Sequence, residues 1–303
     1  MTEYLTGLFP IPLDVWIQQA VDWFVGNYRP IFQAIRMPVA LTLDTFKQIL
    51  VAAPVWLMVV VVWLAGWRAS GWKVGLFGVI CLAFIWSIGL WTATMTTLAV
   101  IGTAVGFAVV VGIPLGIWSA QDQRAWSVIR PILDFMQSTP SFVYLVPVVM
   151  LFGVGTVPGV IATIIFSMPP MIRLTNLGLQ QVPSDVVEAG HAFGATELQL
   201  LWGVRLPLAL PSIMAGLNAT IMSAMIMSVI ASMIGAEGLG LTVLRGIGRL
   251  DVGLAATGGL AITLMAMLMD RITQGLGEVR RTQKESVSKR MLVLAMGKRP
   301  ATP

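Results

Sequence analysis

Residues 184–212 read SDVVEAGHAFGATELQLLWGVRLPLALPS, a segment with its own helical punctuation set between two long apolar runs, 157–174 and 209–234. Asp185 with Glu188 has the look of a capping pair, and Thr196 with Gln199 has capping-box spacing, so the pattern predicts a short helix starting near each. Gly194 falls between them, where a residue free to turn left-handed would end the first helix. Pro207, which lacks an N–H, is expected to stop the second. The expected object is an L-shaped knob. Val187, Phe193, Leu198, Leu201 and Trp202 make it more apolar than a loop needs to be: either they pack under the flanking helices or they offer a docking surface to a soluble partner.

The flanking runs decide the fold class. Of 303 residues, 57% are hydrophobic and only 11% charged, and the mean hydropathy is +0.85. That is more apolar surface than a water-facing domain can hide, so the chain is expected to use a bilayer as its solvent. Crossing about 30 Å of hydrocarbon takes roughly 20 helical residues. Candidate spans fall at 49–67, 72–91, 94–119, 141–152 (short, unless extended back through a proline), 157–174, 209–234 and 252–270. The expectation is an all-α polytopic membrane protein of about seven transmembrane helices. With the C-terminus inside, fourteen of the nineteen Lys and Arg residues, from Arg68 to Arg299, fall on the cytoplasmic side, and five, Arg29, Arg36, Lys47, Arg245 and Arg249, fall outside. Cations concentrate in cytoplasmic connections, which favours N-out and C-in.

Charge and composition also exclude chemistries. The net charge of +5 and sequence pI near 9.8 follow the membrane, so no nucleic-acid partner is implied. One cysteine, Cys81, and one histidine, His191, cannot build a metal centre, and no H-E-x-x-H or C-x-x-C spacing occurs. Gly297-Lys298 lacks the other residues of a phosphate loop, so the chain is expected to bind no cofactor and to hydrolyse no ATP by itself. Acids are absent from the interiors of the runs, with Asp270 and Arg173 at their ends, which disfavours an ion-coupled carrier.

Four segments are expected. Residues 1–48 form an N-terminal extracytoplasmic or interfacial segment without the marks of a signal peptide. Within it Leu13, Trp16, Ile17, Ala20 and Phe24 make an apolar stripe that suits either the outer lipid interface or packing against the bundle. Residues 49–91 are two accessory spans, 92–275 the transmembrane core, and 276–303 a basic cytoplasmic tail able to touch anionic lipid. Glycines and prolines inside the runs (Gly102, Gly106, Gly112, Pro114, Gly116, Pro169, Pro170) allow close packing and bent helices.

The knob also carries a resemblance. Glu188-Ala189-Gly190, Gly194 and Val204-x-Leu206-Pro207 reproduce the spacing of the E-A-A…G…I-x-L-P loop of binding-protein-dependent ABC importer permeases, with Gly190 in place of alanine and Val204 in place of isoleucine. The stretches RPILDFMQSTPSFVYLVPVVMLFGVG, IIFSMPPMIRLTNLGLQQVP and ASMIGAEGLGLTVLRGIGRLDVGLA are similar to the permeases of the glycine betaine, proline betaine and choline family. The likeness covers about 92–275 and is looser before it.

This resemblance implies the fold of a type I (MetI-like) ABC importer permease with a cytoplasmic coupling-helix loop, in a bacterial inner membrane. Its implied partners are a second copy of itself, two ABC ATPase subunits and a separate periplasmic or lipid-anchored substrate-binding protein. Glu188, Ala189, Gly190, Gly194, Val204, Leu206 and Pro207 would form the ATPase-coupling loop, with His191 as a surface contact that has no acid partner. The cargo would be a quaternary ammonium osmoprotectant. Gln137, Thr139, Tyr144 and Asn218 are candidates for the substrate pathway. Trp56, Trp63, Trp67, Trp72, Trp86 and Trp91 cluster near span ends, as an interfacial belt rather than a cation-binding cage. Another small solute on the same machine, or a channel or carrier without ATP, are the alternatives.

Overall fold

The computed structural model describes the backbone of residues 12–295 and the side chains of 12–277 apart from Leu13, Asp14, Phe24 and Arg29. The described residues form helices and turns, with no strand among them. Helix α1, Leu13–Ala52, runs without a break through the expected boundary at 48/49. It ends because Pro54 forces Ala53 into an extended conformation, and α2, Val55–Ser70, leaves at 105° to the Pro30–Ala52 stretch. The apolar run 49–67 is therefore a bent pair rather than one straight span. Gly71, at φ +92°, turns the chain into α3, Trp72–Ser87. The α2–α3 hairpin closes to a separation that only glycine allows: a Cβ on Gly66 would stand 2.9 Å from Gly75 Cα.

Next come α4, Trp91–Gln121, and α5, Gln123–Ser138, the latter capped by the Asp122 carboxylate, which accepts from Arg124 N–H. The run at 141–152 does not extend back through Pro140 as a span. A 3₁₀ turn, Ser141–Tyr144, and α6, Leu145–Phe152, are bent by 109° from α5, because a proline after Thr139 ends the helix. Beyond them lie α7, Thr156–Gln180, and α8, Ser184–Ala192. α9, Glu197–Leu200, runs through a π turn at Leu201–Arg205 into α10, Leu206–Ala231. α11, Leu239–Gly248, and α12, Val252–Ala295, are the last described helices, and the expected boundary at 275/276 lies inside α12.

Among the described residues four helices are long and apolar enough to cross a membrane, up to six if each bent pair is one span, and α3 adds an apolar helix of 16 residues. The expected seven divide in that way. Polar residues survive inside the spans because their hydroxyls donate to the carbonyl one turn back, as in Thr103 to Ala99 O, Thr163 to Gly159 O and Thr220 to Gly216 O, each at 2.8 Å.

The core is built around α7, which packs between α4 and α10 over small residues. A Cβ on Gly116 would meet Thr175, one on Gly178 would meet Ser212 and Ala209, and one on Gly216 would meet Leu174. This is how apolar helices associate where lipid removes the hydrophobic drive. Val39 and Leu43 of α1 join Ala99, Val100 and Ala104 of α4 and Val160, Ile161 and Ile164 of α7 in one buried cluster, so the second half of α1 belongs to the bundle. Earlier in α1, Trp16 and Ile17 are exposed, while Ala20, Val21 and Trp23 border a recess shared with Pro147 and Leu151 of α6. The stripe's Leu13 and Phe24 lie outside the described side chains.

Contacts sort the connections into two ends. Ser70 Oγ donates to Arg271 O (3.2 Å), and Arg173 pairs with Asp134 (2.7 Å), which also faces Arg130. At the other end Lys47 pairs with Glu237 (2.5 Å) and the Gly155 N–H donates to Ile234 O (2.8 Å). Arg130 and Arg173, which the charge rule puts on one side, both face Asp134.

Candidate functional site

The knob forms, with a different internal plan. α8 begins at Ser184 behind Pro183 and has no side-chain cap. Asp185 and Glu188 do not make the expected capping pair, because the helix starts early enough to put Asp185 inside its first turn, where a carboxylate favours the positive end of the helix dipole. The end of α8 agrees with expectation. Gly194 takes φ +79°, its N–H donates to His191 O (2.9 Å), and Ala195 N–H reaches back to Gly190 O (3.1 Å). The capping box also forms: Thr196 N–H donates to Gln199 Oε1 (2.8 Å) and Gln199 N–H to Thr196 Oγ1 (3.4 Å).

The geometry corrects two expectations. Pro207 does not stop the second helix. It sits at the first positions of α10, directly after the π turn that already shifts the hydrogen-bond register, so its missing N–H does not end the helix. The knob is thus one short helix plus the head of a span. His191 is not without an acid partner either: its Nε2 lies 3.3 Å from Glu197 Oε1, and Glu197 also faces Arg205 at 3.7 Å. No periodicity links positions 191, 197 and 205; the Gly194 turn brings them together.

The five apolar residues divide sharply. Leu201 is buried and Val187 half-buried, whereas Phe193, Leu198 and Trp202 are 92%, 69% and 67% exposed. Glu188, Ala189 and Pro207 are exposed, and Val204 and Leu206 half-buried. Gly190 has a specific neighbour: a Cβ there would collide with Leu200 Cδ2, and Leu200 is itself 1% exposed. Leucine at 200 fills the space an alanine at 190 would need.

The pathway candidates fall in two places. Gln137, Thr139 and Tyr144 surround the α5–α6 bend, where Thr139 Oγ1 donates to Phe135 O (2.8 Å), the Tyr144 hydroxyl donates to Met136 O, and the Tyr144 ring meets Phe166 edge-on. That turn packs towards Met227 and Ile230, more than two turns further along α10 than Asn218. Asn218 instead donates to Asp270 Oδ1 (3.0 Å) and accepts from the Thr273 hydroxyl.

Sequence reasoning placed Asp270 at the end of a run but missed its partners, Asn218 on α10 and Gln274 one turn on in α12. The signal available was the second polar pair, Thr273-Gln274, on the same helical face. Among the described residues no group of three His, Cys, Asp or Glu could hold a metal.

The sequence profile of the family described as "Binding-protein-dependent transport system inner membrane component" matches residues 112–278, which include the knob and the α7–α10 core. The chain belongs to this family. The permease is 52% identical over 273 residues to the glycine betaine/proline betaine transport system permease protein ProW of Escherichia coli (strain K12), covering 90% of this chain and 77% of that one. It is 42% identical to the glycine betaine/carnitine transport permease protein GbuB of Listeria monocytogenes over 87% of this chain, and 41% identical to the glycine betaine transport system permease protein OpuAB of Bacillus subtilis (strain 168) over 88%. Among solved structures, a chain of the MetNI methionine ABC transporter in inward-facing conformations superposes with a TM-score of 0.56 at 21% identity, over 61% of this chain and 92% of that one, a likeness of fold. The permease is therefore a transport subunit of an inner membrane, of the kind that works with an ATPase and a substrate-binding protein, and not an enzyme in its own right.

Proposed function

We propose that this permease imports quaternary ammonium osmoprotectants, with glycine betaine, proline betaine or choline as cargo, as one half of a homodimer joined to two ATPase subunits. The observation that carries the cargo is the identity of 52% over nine-tenths of the chain to a glycine betaine/proline betaine permease, supported by the two further betaine permeases. ATP is consumed in the partner, and this chain binds no cofactor. The knob seats in the ATPase: a turn ordered by its own hydrogen bonds that exposes Phe193, Leu198 and Trp202 is suited to insertion into a groove. Since α9 runs on into α10, a push on the knob reaches the span directly. The sorting of cations supports an N-out, C-in orientation, with the tail near anionic lipid. Gln137, Thr139 and Tyr144, around the α5–α6 bend, are the candidates for the pathway.

The test is uptake of labelled glycine betaine and choline into proteoliposomes holding permease, ATPase and binding protein. Uptake should require ATP. A Phe193→Asp/Trp202→Asp double variant should lose most uptake and should no longer co-purify with the ATPase, while the permease itself stays folded. Uptake without ATP would refute the mechanism, and transport of a different solute alone would refute the cargo.

A further inference from the structure

Two recesses open where α1 meets α6, and both are bordered by Leu151. One, of about 500 Å³, is lined by Ala20, Val21, Trp23, Pro147 and Leu151, and its only polar side-chain group is the indole N–H of Trp23. The other, of about 390 Å³, lies between Val25, Phe32, Gln33 and Arg36 of α1 and residues 149–153 at the end of α6. Phe32 meets Phe152 edge-on, with ring centroids 5.6 Å apart, which ties the two helices together beside the recesses. The second recess reaches Gly153, two residues before the Gly155 N–H that donates to Ile234 O, and so lies at the end opposite the knob. Pro147, in the wall of the first, stands about 9 Å further along α6 from that end at 1.5 Å per helical residue.

Arg36 has no acid of its own. Among the described residues it makes no ion pair, and Glu237, an acid at the same end, is taken by Lys47. Along α1 it is flanked by apolar side chains that are nevertheless exposed, Ile31, Ile35, Met37 and Leu41, and no other cation occurs between Pro30 and Phe46. Such a stretch suits hydrocarbon, and a guanidinium set in it calls for an oxyanion, with phosphate the natural match because two parallel N–H···O bonds can form. The apolar recess supplies the other half of the recognition: a wall with so few polar groups does not hold ordered water and gains by covering itself with hydrocarbon. A free phosphate would use Arg36 and leave that recess empty, whereas a lipid uses both, headgroup towards the end of the bundle and chain away from it. We propose that the two recesses form one phospholipid site, with the phosphodiester on Arg36 and Gln33 and an acyl chain against Val21, Pro147 and Leu151. The site is argued from its own residues and does not depend on the cargo.

The experiment uses the permease–ATPase complex in proteoliposomes of phosphatidylethanolamine and phosphatidylglycerol, with a phosphatidylglycerol that carries a photoactivatable diazirine on one acyl chain as probe. After illumination, labelled peptides are mapped by mass spectrometry. Label is expected on the peptides that hold residues 20–23 and 147–151, saturating with probe and exceeding that on Leu76, Ile80 and Phe84, which α3 also exposes. Arg36→Ala should shift saturation roughly tenfold to higher probe, as loss of a hydrogen bond from a charged group implies, and Arg36→Lys should keep part of the affinity. Ala20→Trp, which fills the recess without touching Arg36, should abolish the excess label. Ala20 and Arg36 are both exposed, so the variants should fold. Equal labelling of the recess and of α3 in the wild type, or an unchanged titration in Arg36→Ala, would overturn the proposal and leave only the lipid that surrounds any span. Competition by water-soluble glycerol phosphate would reassign Arg36 to a free organic phosphate and overturn the lipid site. A disulfide between copies of an Ala20→Cys variant, with no label at the recess, would assign the groove to a second permease chain and do the same.

Discussion

The knob at 184–205 and the hairpin at 232–238 are both tight reversals, at opposite ends of α10, and they differ in what holds them beyond a shared glycine turn. The knob is ordered from within. Its hydrogen bonds connect residues a few positions apart, Gly194 supplies the left-handed turn, and Leu200 closes over Gly190. The hairpin has the same kind of glycine turn, with Gly235 at φ +86°, its N–H donating to Ser232 O (3.0 Å) and Ala236 N–H to Ala231 O (3.2 Å), but it is also tied from outside. Ile234 O accepts from Gly155 N–H (2.8 Å), Leu239 N–H donates to Thr97 Oγ1 (2.8 Å), Glu237 N–H donates to Thr156 Oγ1 (3.3 Å), and Lys47 reaches Glu237 from α1. A reversal that carries its own order can move as a lever without losing shape. One pinned at several points to α1, α4 and α7 moves only when those helices do. The comparison therefore places the transmitting element at the knob and makes the hairpin a gauge of how the bundle is arranged.

The largest expected effect breaks the pinned side. Gly238 stands at φ 127° and ψ −162°, a backbone conformation close to glycine-only, and a Cβ there would collide with the Thr97 hydroxyl that anchors Leu239. Strain and overpacking together should make Gly238→Ala cost about 3 kcal/mol, read as a fall in the unfolding midpoint of the purified permease. Gly248→Ala, at a helical glycine with open space around it, is the control and should be near neutral. A small cost at 238 would mean that the hairpin is free to give way, and the contrast with the knob would fail.

The knob should fail locally instead. Gly190→Ala forces Leu200 from its place, with an expected cost of about 1–2 kcal/mol and a fall in ATP-driven uptake. Leu200→Val in the same chain should return most of both, because shortening the side chain frees the space. If Gly190→Ala costs as much in the Leu200→Val background as alone, the two residues are not coupled and the departure from alanine at 190 needs another cause.

How far the sequence could be read obeys the same division. The turn at Gly194 and the Thr196–Gln199 box were legible because their causes lie within a few residues of the sites they order. The apolar runs were legible because span length depends on bilayer thickness. The bends at Pro54 and Pro140 were less so: each run looked like one span by hydropathy, whereas the helix direction depends on the backbone conformation of the preceding residue. Pro207 was misread because a π turn before it removed the obstacle, and no composition signal marks a π turn. His191 with Glu197, Asp134 with Arg173 and Asp270 with Asn218 all depend on which helix faces which, information that a single chain's periodicity does not hold. For that reason Asn218 could be named as a polar residue on a span but not placed beside a carboxylate.

The smallest expected effect concerns the most visible contact of the hairpin. Lys47 and Glu237 form a 2.5 Å ion pair, yet their side chains are 36% and 54% exposed. Pairs so open to solvent contribute less than about 1 kcal/mol and weaken with salt, since each charge gives up hydration and side-chain freedom to meet the other. Lys47→Ala should lower the unfolding midpoint only slightly, and a double-mutant cycle with Glu237→Ala should give a coupling energy that shrinks as sodium chloride is raised. The hairpin's order would then belong to the backbone groups anchored on Thr97, Gly155 and Thr156, which salt does not screen. Were Lys47→Ala instead to approach Gly238→Ala in cost, the hairpin would be held by charge, and ionic strength at that end of the bundle would alter the arrangement of the spans themselves.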